Sequence, residues 1–174
     1  MKLANVQKYL ALYNQEDYLF NYIAPEVRKR GFMKFDEFYK IAMWKSFRPK
    51  QKYLKNKEVI EEITKEAFSE NNELIKIERL CSLKGVAIPT ASAILTIVYP
   101  SKYAIIDIRC LEMLKKLGYE IKTIMSSKNW LRYLDIIRDL SSENKISPRE
   151  VDKVLFSMHK ESLENDNYKN LYRF

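Results

Sequence analysis

The stretch 83–107, read from Ser82 as SLKGVAIPTASAILTIVYPSKYAIID, constrains the fold more than any other part of the chain. Before it, residues 73–82 place Leu74, Ile77 and Leu80 on one helical face. After it, residues 91–99 are apolar enough for a buried helix. Between them, Lys84-Gly85-Val86-Ala87 leaves room only for a tight turn. Gly85 permits a positive φ and the close approach of a ligand. Ala87, Ile88 and Thr90 then offer N–H groups at the start of the second helix, and Pro89 fits its first turn, where a missing N–H breaks no bond. Such a start attracts an anion, typically a phosphate, and Lys84 adds positive charge beside it. Residues 103–108 are β-branched enough for a strand, but nothing else in the chain pairs with them, so they are expected to form an extended loop ending at Asp107.

This stretch resembles the helix-hairpin-helix of the DNA glycosylase superfamily, whose pattern is an L-x-G-V-G hairpin, an alanine-rich helix and then an aspartate about twenty residues on. The hairpin is Leu83-Lys84-Gly85-Val86-Ala87, the helix begins Thr90-Ala91-Ser92-Ala93-Ile94-Leu95, and the aspartate is Asp107. The likeness covers roughly residues 75–115, with the helix-hairpin-helix at about 73–99. It implies an all-α domain that binds duplex DNA through its backbone, with Lys84, Gly85, Ala87 and Thr90 at the hairpin. It also implies Asp107 as the catalytic carboxylate. Two departures narrow the activity. Ala87 stands where the family has its second hairpin glycine, and Pro89 stands where bifunctional members carry a lysine nucleophile. The expectation is therefore base release by hydrolysis, without a Schiff-base lyase step. A second acid, which some relatives carry on an early helix, has Glu16, Glu26 and Glu37 as equal candidates.

A length of 174 residues fits one domain, 1–174, with a core of useful size. The formal charge of +8 points to a polyanionic partner or, more simply, to solubility. Cys81 and Cys110 are too few for a four-cysteine zinc or iron–sulfur site, so no metal or other cofactor is expected. They read as buried free thiols, as a reducing cytoplasm allows. Residues 1–13 lack the pattern of a secretory signal, and the apolar run 87–99 is too short to span a bilayer, so neither export nor membrane insertion is expected.

Apolar periods predict helices over 6–13, 17–30, 34–47, 56–68, 108–117, 129–140 and from 147 onward, besides the two around the hairpin. Gly31 and Gly118 are stop signals, Asn56 is an N-cap candidate, and Ser147-Pro148-Arg149-Glu150 is a capping box. Residues 141–145 read as a polar loop, and residues from 164 as a polar tail that is either mobile or docked. Seven to nine helices result.

Trp44-Lys45-Ser46-Phe47-Arg48-Pro49-Lys50 sits at a helix exit broken by Pro49. Lys45 and Arg48 can hold phosphate there, while Trp44, with Tyr53 and Tyr103, is a base-stacking candidate. The other reading of this cluster is a buried Trp44 and Phe47 with solvated cations around them. Asp107 has two compatible roles, a helix N-cap and a carboxylate that stabilises positive charge on a sugar. His159, the one histidine, reads as structural. Two further functions stay open, a DNA-binding module without catalysis and a helical interaction protein.

Overall fold

A computed structural model describes the backbone of residues 1–11 and 18–171, and side chains as far as residue 163. The helices are α1 (Val6–Ala11), α2 (Ala24–Arg30), α3 (Phe35–Lys45), α4 (Lys50–Tyr53), α5 (Ile60–Ser69), α6 (Glu73–Cys81), α7 (Ile88–Val98), α8 (Ile108–Lys116), α9 (Ser127–Asn144) and α10 (Pro148–Leu171). A π turn at Leu19–Ile23 leads into α2, and a 3-10 turn at Leu54–Asn56 follows α4. The described residues contain no strand, so the chain is all-α, as its periodicity predicts. None of the described helices is long and apolar enough to cross a membrane.

α7 is the centre. Residues 90–98 are all buried, which is what a helix apolar on every side requires. α2, α3 and α6 pack around it, while α10 packs against α1, α8 and α9. Arg28 of α2 donates to the Val98 carbonyl at 2.7 Å, placing a cation at the carbonyl end of α7.

Local signals set most boundaries. Gly31 and Gly118 end α2 and α8 with φ of 80° and 88°. The Ser147 hydroxyl accepts the Glu150 N–H at 3.2 Å and the Glu150 carboxylate accepts the Ser147 N–H at 2.7 Å, closing the capping box. Asn72 and Ser126, which sequence reading passed over, cap α6 and α9 through side-chain oxygens. α9 runs on through the residues expected as a polar loop and stops at Lys145, where φ turns to 55°. α10 likewise continues through the expected tail to Leu171. The ends of the first predicted helix at 12–13, the start of the second at 17 and the candidate acid Glu16 lie outside the described residues.

Asn56 is a correction. α5 begins four residues later, and Asn56 is buried. Its amide accepts the Lys84 N–H at 2.7 Å and donates to the Lys84 carbonyl at 3.0 Å. The residue therefore fastens the turn before α7 to the turn after α4. Gly85, between them, has the expected positive φ of 84°. What approaches its bare face is the protein itself: an added Cβ would lie 2.9 Å from Cβ of Lys52, 3.1 Å from Cβ of Pro49 and 3.2 Å from the Tyr53 ring.

Residues 103–106 are buried without being in a helix or strand, as the sequence predicts for an extended loop. Three of their backbone polar groups are met by side chains from three helices. Ile105 donates its N–H to Asp152 Oδ2 on α10 at 2.7 Å, Tyr133 on α9 donates to the Ile105 carbonyl at 2.9 Å, and Ile106 donates to the Ser92 hydroxyl on α7 at 3.2 Å. Unsatisfied, each such group would cost roughly 1–3 kcal/mol.

Gly31 and Gly85 separate two costs. Both lie at positive φ, but an added Cβ at Gly31 meets nothing within 4 Å. Gly31→Ala should cost about 1 kcal/mol, the left-handed penalty alone. Gly85→Ala should cost clearly more, because backbone-near atoms of Lys52 and Pro49 must move as well. Urea midpoints at constant slope measure both, and equal losses would contradict the close packing at Gly85.

Candidate functional site

Asp107 is set by the end of the buried loop and the start of α8. As N-cap of α8 it has extended backbone (φ −139°, ψ 150°), and its Oδ1 accepts the Arg109 N–H at 3.1 Å. Its Oδ2 accepts a bond from Lys45 Nζ, the last residue of α3, at 3.0 Å. The two side chains keep 16% (Lys45) and 26% (Asp107) of their surface in contact with solvent, enough for a small molecule to reach them. Burial works against the charge on Asp107. The field of the Lys45 ammonium, the bonds from Arg109 N–H and Lys45 and the Arg109 charge outweigh it, so the carboxyl lies below its ordinary value.

The pair lines a cavity of about 250 Å³. Trp44 and Phe156 supply aromatic surface to it, and Arg149 with Asp152 supplies a second ion pair. Ile105 and Cys110 complete the lining. The Arg149 and Asp152 side chains are buried, and Asp152 also holds the Ile105 N–H, so the loop that carries Asp107 and the cavity wall share one carboxylate. Arg109 lies with its guanidinium 4.9 Å from the centre of the Phe156 ring. Cys110 is fully buried. Burial, and then the Asp152 and Asp107 charges, push its thiol far up, so it is no thiolate nucleophile. Burial also raises the Cys81 thiol, to about 11. Both cysteines are free, as expected, but Cys81 is only half-buried rather than buried.

The structure brings together Trp44, Lys45 and Asp107, three of the residues singled out from the sequence. It does not bring the α6–α7 turn into the cavity. Lys84 and Ala87 are exposed, Gly85 faces the 49–53 turn, and Arg48 is exposed beside that turn. Thr90 is buried and its N–H is already bonded to the Ala87 carbonyl at 2.9 Å, so it is not free to bind a phosphate. Tyr53 and Tyr103 are corrected as stacking candidates. Tyr53 is buried edge-on to Phe38 with ring centres 5.7 Å apart, and Tyr103 is buried against Trp130 at 6.0 Å. Phe47, expected within a helix, lies beyond α3 and is exposed. Glu37 caps α3 at the Lys34 N–H and pairs with Arg30, Glu26 is exposed, and neither lines the cavity. The second acid there is Asp152. Its signal was available: Arg149, Asp152 and Phe156 follow a three-and-four spacing, which puts two charges on the same helix face as an aromatic. His159 is buried and bonded through Nε2 to Glu112 at 2.7 Å, away from the cavity.

Comparison with protein-family models, with curated proteins and with solved structures finds no match to this chain. Among the described residues no group of three or more histidine, cysteine, aspartate or glutamate side chains is placed to hold a metal ion.

Titration of Asp107 tests the electrostatics. Its folded value lies below its unfolded one, so its contribution to stability is complete above about pH 4. That contribution is lost as pH falls through the folded value. Carbon-13 titration of the Asp107 carboxyl should show a midpoint below the ordinary aspartate range. Lys45→Met should raise it by about one unit or more, since burial is then opposed only by Arg109. A wild-type midpoint at or above the ordinary value would refute this account of the pair.

Proposed function

We propose that the protein binds DNA and hydrolyses the N-glycosidic bond of a modified or damaged base, with Asp107 as the key carboxylate. The observation that carries this reading is a carboxylate held ionised by Lys45 and the Arg109 N–H at the wall of a 250 Å³ cavity with aromatic lining. Breaking the bond between a base and its sugar leaves positive charge on the sugar carbon. A fixed negative charge beside that carbon lowers the barrier. A carboxylate with a depressed pKa is a weak base, so Asp107 acts by its field and by orienting the attacking water more than by taking a proton. Trp44 and Phe156 are suited to receive a base turned out of its stack. Lys84, Ala87 and Arg48, all exposed, are the backbone contacts in this reading, and the charge of +8 supplies attraction.

Among the described residues, Lys45 is the one amine lining the cavity. As an ammonium bonded to Asp107 it has no lone pair with which to attack a sugar, and its work is to keep Asp107 charged. A second reading, DNA binding without turnover, is favoured by one feature: both Asp107 oxygens already have partners within the protein.

Base release from a panel of modified oligonucleotides separates the two. With turnover, Asp107→Asn should lower the single-turnover rate on the order of a hundredfold or more while DNA binding persists, and borohydride should trap no covalent adduct. Undiminished release by Asp107→Asn, or a trapped adduct, would refute the mechanism. Binding with no release from any substrate by the wild type would favour the second reading.

A further inference from the structure

Phe47 is the one exposed phenylalanine among the described residues, at 68% of its surface. Its exposure follows from local structure. α3 ends at Lys45, and Ser46 is extended (φ −159°, ψ 118°), so the chain leaves the helix and carries the next side chain outward. The surroundings are cationic. Residues 45–57 include six lysines and arginines and no acid. Arg48, Lys50, Lys52 and Lys55 are exposed, and Lys84 joins them through the contacts that Asn56 and Gly85 make with the 49–56 segment. None of these five cations forms an ion pair within the described residues, whereas Arg30, Lys45, Arg79, Arg138 and Arg149 each do. An apolar ring held in water on a segment of unpaired positive charge matches a polyanion that also presents flat apolar faces. A nucleic-acid strand whose bases are out of a duplex has both, while a perfect duplex hides its base faces.

We propose that Phe47 is a stacking platform for an unpaired base, on a segment whose cations bind phosphate, so that the protein prefers DNA carrying unpaired bases over perfect duplex. This rests on the reading that the protein binds DNA, but not on catalysis by Asp107. Any aromatic ring can serve at position 47, because stacking needs a face and no hydrogen bond. The cations act on every substrate alike, since phosphates are the same in paired and unpaired DNA.

Fluorescence anisotropy with a labelled single strand, a duplex holding one bulged base and a perfect duplex tests this. Wild type should bind the bulged duplex roughly tenfold more tightly than the perfect one, a typical effect of one base–aromatic stack. Phe47→Ala should remove that preference, leave affinity for perfect duplex unchanged and melt at the wild-type temperature, since the side chain is exposed. Phe47→Trp should keep the preference. A 2-aminopurine at the bulge should be quenched by wild type and by Phe47→Trp, and not by Phe47→Ala. Replacing Lys52 and Lys55 together with serine should weaken binding to all three DNAs and flatten its salt dependence. Retention of the preference and the quenching in Phe47→Ala would overturn the proposal, as would a wild type that favours perfect duplex or binds no DNA at all. Failure of the catalytic reading looks different: no base is released, yet the Phe47-dependent preference persists.

Discussion

The site depends on a length of buried backbone that belongs to no regular element. Residues 103–106 pass through the interior, where each peptide group must find a partner or lose the solvation it had in the unfolded chain. Asp152, Tyr133 and Ser92 supply partners to the Ile105 N–H, the Ile105 carbonyl and the Ile106 N–H from α10, α9 and α7. Three helices are thereby tied to one loop, and the loop delivers Asp107 to the first turn of α8. Removing any of the three side chains would leave an unpaired buried group next to the cavity, so the fold and the site are under the same constraint.

Charge is arranged around that loop in two layers. Arg149 and Asp152 form a buried pair, and Asp152 is stabilised there by its bond from Ile105 as well as by the guanidinium. Lys45 and Asp107 form the outer, partly solvated pair. The Cys110 thiol lies near both carboxylates and is kept protonated by burial and by their charges. The inner pair is suited to holding shape. The outer pair is suited to chemistry, because its carboxylate is ionised and within reach of solvent.

The features legible in the sequence are those fixed by neighbours within one helical turn. Asp107 as N-cap, the Ser147–Glu150 box, the stops at Gly31 and Gly118 and the buried stripe of α7 all follow from local hydrogen bonding and period. Features set by packing between distant segments were not legible. A tyrosine among lysines has the same local pattern whether its ring faces a base or Phe38, so Tyr53 was misread, and Tyr103 likewise. Asn56 has the composition of a cap, yet its partner is Lys84, twenty-eight residues on. The positive φ of Gly85 was legible, but its neighbour, the 49–53 turn, was not. Lys45 and Asp107 are each legible in the sequence, and only the approach of the end of α3 to the start of α8 makes them a pair.

The central claim is that Asp107 stabilises positive charge on a sugar. Two abasic-site analogues in otherwise identical DNA test it most directly, one with a cationic pyrrolidine ring and one with a neutral tetrahydrofuran ring. The wild type should bind the cationic analogue more tightly by about tenfold or more, as expected for a charge facing a partly buried carboxylate, and Asp107→Asn should bind both alike. Equal affinity in the wild type, or a preference that survives in Asp107→Asn, would contradict the assignment of Asp107.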